Sequence, residues 1–345
     1  MNDLFKPDDT RDALRTAGGI LFGLAFVMIL IRKGSGPGHW AKFPLFLDVA
    51  IPAATLYGLG VFTKDKTGGL RVWQAVYAVF GLLLVPLVLL QFVDLVGGSP
   101  GTSMNTFWIF GVTAALAFYA GIVAGVRFQL LLGSIAAIIS WSALWDALLG
   151  GGIGENWGVY RGLLGLIAIA LLAGGLFLWR TNKGGDEGAA TATYPGGEIG
   201  LWKASELLTG AGLAAVLACS LGGLVTFFVV SVAQAFGPTE ALRIQTPIET
   251  TNAWDIMLLV VALGLVWLGS LIGTRGPVYV GAGGLGLFLV IAGLDLNNTP
   301  PHQTHFGVWP WALLVLGLVG IAISFTREAS LGDQPRRLVQ SLRGR

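Results

Sequence analysis

Long uninterrupted apolar runs constrain this chain more than any other feature. Ten can be marked out, at about 16–32, 44–63, 72–95, 105–126, 128–149, 159–179, 205–233, 253–273, 277–295 and 308–326. A helix needs roughly 17–25 apolar residues to cross the hydrocarbon of a bilayer. In lipid the backbone must also satisfy its own N–H and C=O groups, which a helix does within one segment. The runs therefore predict an all-α, polytopic integral membrane helical bundle of about ten transmembrane helices. Charge agrees: Asp, Glu, Lys and Arg make up only 12% of the 345 residues. A soluble domain carries roughly 25% and needs them to face water. Mean hydropathy is +0.74. The mixed acids and bases of Met1–Thr16 precede an apolar run without a small-residue cleavage site, so that run is expected to stay as the first helix.

Orientation follows from the basic residues. With the N-terminus in the cytoplasm, 16 of the 21 Lys and Arg fall on the cytoplasmic side. Only Arg32, Lys33, Lys42, Arg161 and Arg243 fall outside. Cytoplasmic loops collect Lys and Arg, so both termini are expected in the cytoplasm of a cell-membrane protein. Lipid is then the first partner. Protein partners would meet the outer loops or the basic C-terminal tail, and a net charge of +2 offers no signature for nucleic acid.

The chain repeats its punctuation. Asn105–Trp108 and Thr251–Trp254 each open an apolar run, a short turn with one Arg follows (Arg127, Arg275), and the next run closes on Asp146 or Asp295. Gly-Val-aromatic then restarts the chain at Gly158 and at Gly307. These landmarks predict a parallel repeat of a three-helix unit, the fourth to sixth helices matching the eighth to tenth. The expected organisation is a membrane half over 1–180 and a flexible cytoplasmic linker over 181–203. A second membrane half over 204–327 and a basic tail over 328–345 complete it. Gly121 with Gly125, and the small residues of Gly210–Gly223, are expected at close helix contacts, since lipid offers no hydrophobic drive between helices. The pattern Gly281–Gly286 fits a dinucleotide fingerprint in form only. No strand precedes it, and helix packing is the expected role. Pro52 and Pro86 are expected to kink their helices.

Chemistry-bearing residues are few. Asp48 and Asp255 begin helices, where the macrodipole favours an anion, whereas Asp94, Asp146 and Asp295 end helices, where it opposes one. Those three should find compensation from water, a cation or a base such as Arg161, and together with Arg161 they define a possible outer vestibule. His302 and His305, with Asp295 and His39, are the residues a transition metal would use. Their Pro-rich loop presents no common face and no Cys assists, so neither metal nor cofactor is expected. Glu206 reads as a first-turn carboxylate, and Cys219 as a small core residue. Motifs for a serine hydrolase or a zinc protease are absent, and no His pair or Lys sits at mid-span for haem or retinal. The expected function is a non-catalytic membrane subunit or scaffold of a larger complex. The alternative is a small-solute or cation transporter or channel with an acidic outer vestibule.

Overall fold

The computed structural model describes residues 10–34, 40–63, 72–150, 157–183, 199–236 and 253–293. All regular structure among them is α-helical: α1 Thr10–Gly34, α2 Lys42–Phe62, α3 Val72–Leu95, α4 Ser103–Ile122, α5 Gln129–Leu149, α6 Trp157–Lys183, α7 Ile199–Phe236, α8 Ala253–Ile272 and α9 Arg275–Gly293. The first eight each hold a stretch long and apolar enough to cross a membrane. The apolar part of α9, Arg275–Ile291, is shorter. The expected tenth helix, 308–326, lies outside the described residues. Observed ends differ from expectation by a few residues. The longest shifts are at the starts of α1 and α7, which begin at Thr10 rather than near residue 16 and at Ile199 rather than near residue 205.

The outward surface is apolar. Leu21, Met28, Ile169, Phe177, Val260 and Trp267 are each more than 60% exposed. Water would not tolerate that many large apolar side chains on a monomer surface, whereas lipid accepts them. The chain is thus a multi-pass membrane helical protein.

Helix α7 sits at the centre. Of its most apolar stretch, 72% is buried inside the protein, against 11–44% for the seven other spanning helices. On one side Leu207, Ala211, Ala214 and Ala218 join Leu130 and Ile138 of α5 and Leu164, Ala168 and Leu171 of α6. On the other, Val216 and Cys219 join Leu258 and Leu265 of α8 with Phe288 and Ile291 of α9. Its small residues explain the placement: Gly210 faces Ser134 of α5, Gly212 faces Leu265 of α8 and Gly223 faces Ile291 of α9. A helix with so little side chain lets neighbours approach on several faces, and dispersion between close backbones then holds the bundle.

Three antiparallel hairpins are built on close contacts: α4–α5 and α8–α9 pack on α7, whereas α2–α3 packs on α1 and α4. In α2–α3 the contact is backbone on backbone. A Cβ on Gly60 would collide with the Ala78 amide, and one on Gly81 with the Tyr57 amide. In α8–α9, Gly281 lies against Ala262 O and Val266 N, while Gly269 lies against Val278 N. The α4–α5 pair is looser, Gly133 facing the side chains of Ala117 and Phe118. Of the Gly281–Gly286 motif expected to pack, Gly281 and Gly284 stand inside α9 against α8 or α7, whereas an atom added at Gly283 or Gly286 would meet nothing within 4 Å. Gly125 serves the turn. It lies beyond the end of α4 with φ +72°, while Gly121 meets the neighbouring helix at Leu130. Helices α2 and α3 run unbroken through Pro52 and Pro86. The first hairpin joins the rest through Tyr57, whose hydroxyl donates to Leu116 O of α4 at 2.7 Å. Helix α1 is fastened to α3 by Tyr77, whose hydroxyl donates to Arg15 O at 2.9 Å.

The α4–α5 and α8–α9 turns share a detail. Each has a Gly with positive φ, Gly125 at +72° and Gly273 at +76°, followed two residues later by Arg127 or Arg275. Thr274 N donates to Gly269 O at 2.9 Å, the six-to-one bond that closes a helix through a left-handed residue.

Candidate functional site

Two polar ends bracket the bundle. One holds the α4–α5 and α8–α9 turns and the start of α7; the other holds the starts of α4, α6 and α8 and the ends of α3 and α5.

At the first end, α5 starts without a capping side chain of its own. Its N-cap position is Phe128, which adopts the left-handed region at φ +66° and makes no side-chain cap bond. The missing acceptor comes from α7. The Glu206 carboxylate accepts from the backbone N–H of Phe128 at 2.5 Å, of Leu130 at 3.0 Å and of Leu131 at 3.3 Å. An anion at a helix N-terminus with three N–H donors combines capping with the favourable end of the macrodipole. One turn earlier, Lys203 Nζ donates to Ile122 O at 2.9 Å, at the C-terminal end of α4. A cation on the free carbonyls and an anion on the free amides thus clamp both sides of one turn. The reading of Glu206 as a carboxylate in its own helix's first turn is corrected by this geometry: α7 starts seven residues earlier, and the group serves α5. The sequence did carry a trace of this. Val126-Arg127-Phe128-Gln129 contains none of the residues that cap helices, so the acceptor had to be supplied from elsewhere. Beside the clamp, Gln129 is fully buried, and neither side-chain polar atom has a partner among the described residues.

At the second end the structure separates the sequence-derived residues. Asp94 pairs with Lys42, whose Nζ lies 2.8 Å from Oδ1 and also donates to the Asp94 carbonyl at 2.9 Å. That cation compensates the end of α3, and both side chains are well exposed, so the pair is worth at most about 1 kcal/mol. Asp146 accepts from the hydroxyls of Ser103 in α4 and Tyr160 in α6, the latter at 3.0 Å. It therefore ties three helices together, with Trp141 adding a bond from Nε1 to Leu163 O at 2.9 Å. Asp94 and Asp146 have no common partner. Arg161, adjacent to Tyr160, points elsewhere: its guanidinium stacks on Trp254 of α8, 4.4 Å from the ring centroid. Asp295, His39, His302 and His305 lie outside the described residues. Among the described residues no three His, Cys, Asp or Glu stand close enough to hold a metal ion.

Removing the Tyr160 hydroxyl should measure its share in this tie. Tyr160 is 1% exposed, and Phe fills nearly the same space. Tyr160→Phe should cost about 1 kcal/mol, the net worth of one buried hydrogen bond, and Asp146→Ala more, since it frees two hydroxyls. In the double variant the two losses should not add. Thermal melting of detergent-solubilised protein checks this, and strict additivity would refute the shared carboxylate.

No family model, curated protein or solved structure matches this chain.

Proposed function

We propose that this chain is a non-catalytic membrane subunit or scaffold of a larger complex in the cell membrane. The observation that carries the reading is the centre of the bundle. Where a transporter would place a passage, α7 presents Gly, Ala, Ser and Leu in direct contact with four other helices. The charged residues flanking it, Lys203 and Glu206, are engaged with backbone groups of the chain itself. A proton- or ion-coupled mechanism uses ionisable groups near mid-depth facing a cavity; here Lys42, Asp94, Asp146, Lys203 and Glu206 fasten helix ends.

Within this reading the turn end faces the cytoplasm with both chain termini, as the distribution of Lys and Arg requires. The paired Gly-x-Arg turns, Gly125–Arg127 and Gly273–Arg275, support a parallel repeat in which the α4–α5 and α8–α9 hairpins flank α7. Outer loops and the basic C-terminal tail are the docking surfaces.

Native mass spectrometry after gentle detergent extraction tests the proposal. A fixed stoichiometric complex with a second polypeptide is expected, together with no flux of protons, alkali cations or small solutes in proteoliposomes. A solitary chain that conducts one of these would replace the subunit with the transporter. Reporter fusions at the two ends should both report the cytoplasm.

A further inference from the structure

Arg161 is a cation close to the N-terminal end of α6, the fifth residue of the helix, where the helix dipole opposes positive charge. It is also 5% exposed. A buried guanidinium ordinarily spends its five N–H donors on carboxylates, carbonyls or water. Here Nε and Nη2 are both buried and neither has an acceptor among the described residues. Neighbouring groups do not fill the gap. The Tyr160 hydroxyl is directed to Asp146. Asp255 and Cys219 stand within electrostatic range, yet neither accepts from these two nitrogens.

The ring of Trp254 covers one face of the guanidinium at 4.4 Å. Stacking of this kind fixes the plane of the fork and leaves its edge for hydrogen bonding. The unused edge is the Nε–Nη2 side, whose two parallel N–H vectors match two oxygens of one carboxylate or phosphate.

We propose that Arg161, held flat on Trp254, anchors an oxoanion site at this end of the bundle. The Nε–Nη2 edge takes two oxygens of a carboxylate or phosphate, carried by an anionic lipid headgroup or by a free anion. The site lies between α6 and α8, on either side of the central α7, so its occupant bridges the two halves of the bundle. It does not depend on the subunit reading.

The test uses the full chain in dodecyl maltoside, a detergent without phosphate, with melting temperature as readout. Sodium phosphate and sodium acetate are each exchanged for sodium chloride at constant ionic strength, and dioleoylphosphatidylglycerol is compared with neutral dioleoylglycerol. Ligand linkage predicts a rise of about 3–6 °C in at least one anionic arm. A rise with phosphate or acetate identifies a free oxoanion; a rise with the anionic lipid alone identifies the headgroup. Arg161→Gln should abolish the rise, and Arg161→Lys should keep less than half of it. Trp254→Leu retains the cation but loses the stack, and should shift the midpoint concentration upward about tenfold. Should Arg161→Gln fail to accumulate, the Trp254→Leu midpoint decides, and an unchanged midpoint overturns the site. A melting temperature insensitive to every anion, as expected of a guanidinium already held by a carboxylate of the chain itself, overturns it too. So does a rise that persists in Arg161→Gln.

Discussion

Glu206→Ala should be among the most damaging single substitutions in this protein. The carboxylate accepts from the amides of Phe128, Leu130 and Leu131 at the start of α5. Removing it leaves those donors facing a partly buried site with no replacement. Ordinary caps are worth about 1 kcal/mol, and hydrogen bonds to charged groups about 1.5–3 kcal/mol each. A loss of about 2–4 kcal/mol is expected, because one carboxylate shares its strength among three donors. Phe128 adds to the cost. Its left-handed backbone at φ +66° carries strain that persists only while its surroundings hold it. Glu206→Gln should fall between Ala and the parent, since an amide oxygen still accepts but carries no charge. Lys203→Met, which frees only the Ile122 carbonyl, should cost less than Glu206→Ala. Fluorescence-detected size exclusion after a temperature series would rank the variants. An Ala variant as heat-stable as the parent would remove the clamp from this account.

A methyl group added at the α2–α3 crossing should be nearly as harmful. The ideal Cβ of Gly81 falls 2.7 Å from Tyr57 Cα and 2.8 Å from its Cβ, and that of Gly60 falls 2.7 Å from Gln74 O and 2.8 Å from Ala78 Cα. Backbone atoms cannot rotate away, so the helices must separate. Overpacking of this kind costs about 1–3 kcal/mol, and Gly81→Ala and Gly60→Ala should lie at the upper end. Two other glycines serve as internal controls. Gly58 in α2 and Gly264 in α8 meet nothing within 4 Å of the added atom. There the helical preference for Ala over Gly, about 1 kcal/mol, acts alone. Gly58→Ala and Gly264→Ala should therefore match or exceed the parent in stability. Four single variants thus test one proposition: that glycine at a crossing and glycine on a lipid-facing surface differ in sign.

Glycine spacing alone does not make this distinction. Gly58 and Gly60 are two residues apart in one helix, yet one faces open space and the other a neighbouring amide. Which face of α2 meets α3 depends on how two oily helices rotate against each other, and every face of such a helix reads as apolar. Gly125 illustrates the same ambiguity. It shares a small-xxx-small pattern with Gly121 but lies in the left-handed turn beyond α4, outside the helix that Gly121 packs.

The acidic residues show how far dipole reasoning reaches. Asp94 and Asp146 end their helices, and the dipole argument required each to be compensated. The structure supplies Lys42 for one and two hydroxyls for the other. The partners come from α2, α4 and α6, separated in sequence from their carboxylates by up to 52 residues. No local pattern encodes such pairs. Arg161 was the base nearest in sequence to Asp146, yet it turns to Trp254, because successive residues of a helix point about 100° apart.

What the linear chain settles by itself is its solvent. Apolar stretches of this length, with so little charge, have lower free energy as helices in hydrocarbon than in any arrangement exposed to water, and that holds wherever their neighbours lie. It also marks helix ends, through Gly, Asp and Trp. Tertiary structure alone decides which helix is central and which polar group meets which. Those outcomes depend on rotation and order among helices of nearly uniform hydrophobicity, and are chosen by contacts of one methyl group or one hydrogen bond. The same physics that makes lipid indifferent to Leu, Ile and Val leaves glycine gaps and capping pairs to select the assembly.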